Sequence, residues 1–358
     1  MIKRLIAMRA IVAVLAASFV LSLIGCGSSS SSGEVRLQGA GATFPNPIYQ
    51  VWFSEYNKIT PNAKFDYQSL GSGAGIKQII SQTVDFGGSD APMKDADLQS
   101  APGEILHIPT VLGAVVITYN LPGVGSELKL SPEAIAGIFL GTIKKWNDPQ
   151  IASLNTGVTL PDAAITSVHR SDGSGTTFVF TDYLSKVSPE WKQKVGAGTS
   201  VEWPGGLGAK GNEGVTAQVK QTPNSIGYVE LIYAEENKLS VASVKNAAGE
   251  IIHPSLASTT AAAAGAVADI PDDLRVSITN PPGKDAYPIA SFTYLLVYKE
   301  QKDQAKGKAL VDFLWWATHD GQSIAGTKSY APLPKEVVAK AEQKIKSITH
   351  NGTALRAN

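Results

Sequence analysis

The sequence of 358 residues predicts an α/β protein, and two features carry that expectation. Short apolar stretches alternate with segments of helical period along the chain, and many of the loops joining them are rich in Gly, Ser and Thr. Residues 35–37, 65–67, 105–108, 115–119, 165–168, 226–229 and 294–298 read as strands, and 47–59, 76–82, 176–186, 309–318 and 335–348 as helices. Within 176–186 the pairs Val179/Tyr183 and Phe180/Leu184 stand four residues apart, on one helix face. Ser131-Pro132-Glu133-Ala134 opens another helix, with Ser as N-cap and Pro at the first helical position. Such alternation implies largely parallel sheets. No segment repeats at a fixed period. The Ala/Thr-rich stretch 257–268 is expected to be a surface helix or loop without functional weight, and 205–214 is a Gly-rich loop whose purpose stays open.

The N-terminus points to export. Lys3, Arg4 and Arg9 form a basic region, followed at 10–24 by an apolar run shorter than the ~20 residues of a typical spanning helix. The run ends in Leu23-Ile24-Gly25-Cys26, which resembles the lipobox of bacterial lipoproteins. Cys26 is the only cysteine, and it stands before a serine tether at 28–32. We therefore expect a signal peptide at 1–25, lipidation of Cys26, and a flexible tether through 33. Removing 1–25 takes away three basic residues and no acidic one, leaving 28 Lys+Arg against 31 Asp+Glu. That balance argues against nucleic acid as a partner, and it leaves any small anion to be captured by local dipoles. One cysteine allows no disulfide, so stability must come from buried core. The remaining length suits two domains at ~150 residues each.

Four loops carry the chemistry. His169-Arg170-Ser171-Asp172-Gly173-Ser174-Gly175-Thr176 lies between an expected strand and the helix 176–186. It combines an Arg, an Asp and hydroxyls with small residues, so backbone N–H groups and a helix N-terminus can converge on one anion. Two readings stay open: an oxyanion site, or Ser174 and Thr176 as N-caps with Gly173 and Gly175 merely shaping the turn. The Arg beside the turn favours the first. Gly39-Ala40-Gly41-Ala42-Thr43-Phe44 and Gly71-Ser72-Gly73-Ala74-Gly75 also follow strands and lead into helices. The first can equally be an ordinary strand-to-helix turn; the second is not a phosphate-cradling loop of the Walker type, since no Gly-Lys-Ser/Thr follows. The fourth is Val84-Asp85-Phe86-Gly87-Gly88-Ser89-Asp90. In open α/β sheets ligands sit outside the carboxyl ends of strands, where such loops meet. Their hydroxyls, N–H groups, one cation and two carboxylates suit a small tetrahedral oxyanion that carries a proton.

These residues resemble the phosphate-binding lipoprotein or periplasmic component of the high-affinity phosphate ABC importer, the PstS family. The resemblance runs through 39–45, 77–92, 141–146, 170–180, 203–214 and 226–230. It implies a hinged, two-lobe periplasmic-binding-protein fold of type II, each lobe a mixed sheet flanked by helices. Lobe 1 would comprise 34–117 plus 291–358 and lobe 2 118–290, with two crossing strands as hinge. It implies a monomer without cofactor or catalytic activity, closing over one phosphate and delivering it to the membrane permease. Its place would be the cell envelope, lipid-anchored through Cys26 on the periplasmic or outer face of a bacterial membrane. Carried over by motif, Thr43 and Phe44 supply a hydroxyl and an N–H, and Ser72 a hydroxyl and its N–H. Asp90 accepts a proton from the ligand, Arg170 makes the charged contact with Asp172 holding it, and Ser174, Gly175 and Thr176 supply helix-terminal groups. The chain departs from the pattern at Gly73, where members often carry a second Ser, and in the Ala-rich 257–268.

Two alternatives set the limits. Gly87-Gly88-Ser89-Asp90-Ala91 approaches the nucleophile elbow of a hydrolase, but no His is tied to Ser89. The five His (His107, His169, His253, His319, His350) lack the pairing of a metal-dependent phosphatase. His169, beside Arg170, is expected to be structural. The other alternative keeps the binding role and changes the ligand to sulfate or another tetrahedral oxyanion.

Overall fold

The first strand, β1 (Val35–Gly41), lies between β2 (Ala63–Ser69) and β3 (Phe86–Ser89) and runs parallel to both. The computed structural model describes residues 33–125, 128–265, 267 and 270–356. The expected signal peptide, Cys26 and the tether through 32 lie outside them. Helix α1 (Asn46–Ile59) connects β1 to β2. Ile48, Tyr49, Trp52, Phe53 and Tyr56 recur at helical spacing, so one face is buried and aromatic, and Lys58 and Glu55 pair in the last turns. Helix α2 (Ser72–Ile80) buries Ile76 and Ile79 on its way to β3.

The strand that organises the rest is β4 (Ile105–Asn120), whose 16 residues are buried except the last. Helix α3 (Pro132–Leu140) follows; the Ser131 hydroxyl accepts from the Ala134 N–H, and Gly141 ends it at φ 73°. Then come β5 (Thr166–Arg170), α4 (Gly175–Val187), β6 (Leu207–Ala209), α5 (Gly211–Gln221), β7 (Ser225–Glu230), α6 (Leu231–Glu236), β8 (Ser240–Val241), α7 (Leu256–Ala264), β9 (Ala290–Tyr298), α8 (Gln304–Thr318) and α9 (Lys335–Lys346). Among the described residues the main sheet has nine strands in the order β2-β1-β3-β9-β4-β7-β5-β6, with β8 beside the end of β4.

Pairing is parallel at both ends of this sheet and antiparallel in the middle, where β9 meets β3 and β4 and β4 meets β7. The sheet is thus mixed, whereas alternation alone suggested mainly parallel pairing. One edge of β4 takes β9 along Ile105–Ala114, and β7 takes over along Val115–Asn120. The segments 105–108 and 115–119, expected as separate strands, are therefore one. The register slips at Thr293/Tyr294, where Thr110 is the extra residue beside Pro109. A bulge there accommodates a proline that has no N–H to give the ladder.

Val35–Asn358 makes up one compact unit. Its larger core runs from the aromatic face of α1 through β4 to Phe180, Trp191 and Tyr228. A second core joins Ile76 and Ile79 of α2, Ala262 and Ala263 of α7, Ile278, and Phe292 of β9. The Ala-rich stretch forms a helix with one exposed face, one of its two expected forms. This is α7, which buries Ser258, Thr259, Ala262 and Ala263, because small side chains let the helix pack closely on β4 and β9.

Trp146 is fully buried after α3, its indole N–H donating to the Asn224 carbonyl at 3.1 Å. Trp146→Ala would leave a cavity, with the Asn224 carbonyl keeping only its bond from the Thr166 N–H. We expect a loss of about 3–5 kcal/mol in denaturant unfolding. A loss under about 1.5 kcal/mol would mean the surroundings collapse into the space.

Candidate functional site

Four helices start around one point, each delivered there by a strand. β1 ends at Gly41 and passes Thr43 and Phe44 before α1. Ser69 of β2 leads to Gly71, whose φ of +99° turns the chain so that Ser72 begins α2. β3 ends at Ser89 and presents Asp90, while β5 ends at Arg170 and turns into α4. Gly211 opens α5 after β6. Thr43, Phe44, Ser72, Asp90, Arg170, Ser174 and Thr176 are each at most 3 % exposed.

Arg170 is the cation of this cluster. Its Nε donates to Asp172 Oδ1 at 2.8 Å and its Nη2 to Oδ2 at 2.6 Å, a two-pronged pair. Nη1 points onward to the Thr176 hydroxyl at 3.4 Å. The Gly211 N–H adds a third bond to Asp172 at 3.0 Å. Burial pushes the Asp172 carboxyl up, but the Arg170 guanidinium and the backbone N–H outweigh it and hold it below the usual carboxylate value.

Asp90 sits in the opposite balance. Its Oδ1 accepts from the Thr293 hydroxyl at 2.7 Å, and Oδ2 faces the Ser72 hydroxyl at 3.5 Å. The Asp90 N–H in turn donates to Ser72 Oγ at 3.2 Å. Burial raises its carboxyl to about 7, despite the Thr293 bond and the Arg170 charge pulling it down. The Asp90 carboxyl is therefore close to its midpoint of protonation at neutral pH.

Ser174 caps α4, its hydroxyl accepting from the Thr177 N–H at 3.0 Å. Its hydroxyl thus has a capping role whatever else it does. Gly175 shows why its position admits no side chain. A Cβ there would stand 2.4 Å from Ser72 Oγ and 2.5 Å from Asp90 Oδ2, which belong to different loops. Phe44 is fully buried, and its carbonyl accepts from the Tyr330 hydroxyl at 2.5 Å. The loops also touch directly, the Gly73 N–H donating to the Gly173 carbonyl at 2.9 Å.

Two participants escaped the sequence. Thr293, in β9, holds Asp90. Asn212, the second residue of α5, is fully buried and bonds Thr43, Thr176 and the Glu230 N–H. The only signal for Asn212 was a polar residue inside the Gly-rich 205–214.

Other candidate groups have settled partners. Ser89 Oγ donates to the Ala91 carbonyl at 2.6 Å and accepts from the Ala91 N–H, a local turn rather than an elbow. The His169 ring stacks on Trp203 at 4.8 Å. His107 accepts from the Met93 N–H at 3.0 Å, and burial lowers it to about 4, so it is neutral at physiological pH. Among the described residues no cluster of three or more His, Cys, Asp or Glu could hold a metal, and no helix is long and apolar enough to cross a membrane.

The arrangement is a buried cluster of helix-terminal N–H groups and hydroxyls, with a paired guanidinium and the Asp90 carboxyl. The PBP superfamily domain matches residues 28–320. The phosphate-binding protein PstS of Pasteurella multocida is 50% identical over 312 residues, covering 87% of this chain and 90% of its own. That of Xylella fastidiosa is 48% identical over 88% of this chain and 86% of its own, and that of Methanocaldococcus jannaschii 40% over 89% and 90%. Among solved structures, a phosphate-binding protein from Stenotrophomonas maltophilia superposes with a TM-score of 0.66 at 20% identity, over 86% of this chain and 93% of that one. A high-affinity periplasmic phosphate-binding protein bound with phosphate gives 0.68 at 21%, over 90% and 100%. The latter two share the fold, a two-lobe periplasmic-binding-protein architecture. At half-identity over nearly its full length, the chain belongs to the family of PstS phosphate-binding proteins, substrate-binding proteins of transport and not enzymes.

Proposed function

We propose that this chain binds inorganic phosphate at this buried cluster and delivers it to the permease of a phosphate ABC importer. The observation that carries the reading is Asp90: one buried carboxylate facing an array of donors. Phosphate near neutral pH keeps a proton and can donate it to that carboxylate. Sulfate has none, so acceptor would face acceptor without water to intervene. In this reading Thr43, Phe44, Ser72, Ser174, Gly175 and Thr176 supply donors. Arg170, oriented by Asp172, supplies the charge.

The ligand-contacting loops divide between the two parts of the sheet that β4 joins. Thr43, Ser72 and Asp90 follow β1–β3, while Arg170 to Thr176 follow β5. We assign lobe 1 to 34–117 with 291–358 and lobe 2 to 118–290, with β4 and the entry to β9 as hinge; α7 and Ile278 pack beneath lobe 1. A ligand touching both lobes favours the closed form through its differential affinity. The chain works as an exported monomer, tethered to a bacterial membrane by lipid on Cys26. The lipobox before Cys26 and the serine tether after it support that anchor.

Calorimetric titration of ligand-stripped protein with phosphate and then sulfate tests the function. An unmade buried hydrogen bond, ~1–3 kcal/mol, corresponds to roughly 5- to 150-fold preference for phosphate. Comparable affinity for both anions would leave a general oxyanion receptor. Asp90→Asn puts a donor where the acceptor stood, and we expect the phosphate/sulfate ratio to shrink. Lowering pH should act the same way on wild type. With the carboxyl at about 7 without ligand, Asp90 gains a proton as pH falls through that value and can then donate to sulfate. A nearby dianion raises the carboxyl further, so the ratio should already be falling at pH 7. A ratio flat from pH 8 to 6 contradicts the role given to Asp90.

Gly175→Ala should leave each lobe folded, since the first turn of α4 tolerates Ala, but the new methyl meets Asp90 and Ser72 on closure. Overpacking of ~1–3 kcal/mol predicts a roughly 5- to 150-fold loss of phosphate affinity. Small-angle scattering should show less ligand-induced compaction than in wild type; equal compaction and affinity would place the two loops apart in the bound state.

Cys26→Ser should move the protein from the membrane fraction to the soluble one with phosphate affinity unchanged. A processed, unlipidated variant that still sediments with membranes would refute the anchor.

A further inference from the structure

A hydroxyl can donate or accept a hydrogen bond, so a pocket for a highly charged oxyanion gains if its hydroxyls are held as donors. One side chain does this for two of them. Asn212 Nδ2 donates to Thr43 Oγ1 at 2.7 Å and to Thr176 Oγ1 at 3.1 Å. The Asn212 backbone N–H donates to Thr43 Oγ1 at 3.2 Å, and Arg170 Nη1 to Thr176 Oγ1 at 3.4 Å. Each hydroxyl therefore receives two hydrogen bonds, which occupy both lone pairs and leave it only its O–H to offer. Among the described residues neither O–H finds a protein acceptor. The amide itself cannot turn over, because Oδ1 accepts from the Glu230 N–H at 3.0 Å and so directs the NH2 group at the two threonines.

We propose that Asn212 is a positioning residue that fixes Thr43 and Thr176 as obligate donors toward the bound oxyanion. The inference rests on the phosphate reading of the pocket. Thr43 follows β1, and Asn212 and Thr176 lie on α5 and α4, so the fixing is complete only when the cleft is closed. In an open cleft the Thr43 hydroxyl loses both Asn212 donors and is no longer confined to donating. Asn212 thus ties the chemical polarity of the pocket to its closure.

A double-mutant cycle separates this role from a structural one. In otherwise wild-type protein, Asn212→Ala should weaken phosphate binding about 10- to 100-fold, the range of one or two hydrogen bonds to a charged group. In a Thr43→Val, Thr176→Val background, with no hydroxyls left to orient, the same substitution should cost less than about 3-fold. A purely structural Asn212 predicts the same loss in both backgrounds, and that result would overturn the proposal. The phosphorus NMR resonance of bound phosphate at saturation should also move in Asn212→Ala; an unmoved resonance counts equally against it. Should Asn212→Ala fail to fold, Asn212→Asp keeps the side-chain volume and the acceptor for Glu230, and replaces only the donor. Its affinity should fall by more than 100-fold, whereas wild-type affinity would refute the role. Wild-type protein that binds no phosphate brings down the functional reading and this proposal together; wild-type binding with an indifferent Asn212 brings down this proposal alone.

Discussion

The site depends on how one guanidinium is buried. Moving an isolated charge out of water costs several kcal/mol, and Arg170 is tolerable inside because Asp172 meets it with two well-aligned bonds. Asp172 then takes a further N–H from Gly211, which fixes where α5 begins and so where Asn212 stands. The ion pair has an electrostatic consequence. Asp172 offsets the charge of Arg170, and Asp90, with its carboxyl raised to about 7, adds negative charge only as far as it is ionised. With Arg170 partly neutralised by its partner, much of the attraction for an anion must come from oriented dipoles: the first turns of four helices and hydroxyls whose lone pairs are already engaged. Selection by dipoles and one acceptor reads the protonation of a ligand, which a bare positive field would not.

Much of this was legible because the residues involved are local. Thr43, Ser72 and the Arg170–Thr176 run sit in loops whose small residues and hydroxyls signal converging N–H groups. What was not legible is non-local or runs against propensity. Thr293 holds Asp90 from 203 positions away, and nothing in its neighbourhood announces a partner. β3 is built on Gly87-Gly88, poor strand formers that pair here because β1 approaches on one side and β9 on the other. β4 read as two strands because Pro109 and Gly113 interrupt the apolar run, and only the bulge at Thr110 shows how the ladder survives them. Asn212 lay unremarked in the Gly-rich 205–214. Its buried amide is explained by partners on three other elements.

The mixed sheet follows from the same long strand. Strands at either end run parallel, as helical crossovers require, whereas β4 and β9 run antiparallel between them. An α/β pattern read along the chain sees the crossovers and misses the seam. That seam is where β4 leaves β9 and takes up β7. A 16-residue strand shared between two packed parts can twist at the handover without breaking either ladder.

The contact between the Gly73 N–H and the Gly173 carbonyl, which in the proposed lobe assignment crosses the cleft, belongs to the protein alone. Together with the bond from Asn212 to Thr43, it closes the pocket at places no ligand atom needs to touch. Time therefore enters through a different door from affinity. In the proposed phosphate-bound form an enclosed ion could not leave until those bonds part, so its residence would be bounded by how often the backbone opens. Substitutions that strengthen ligand contacts can raise affinity without passing that bound, while anything that grips the two rims from outside and separates them releases the cargo at once.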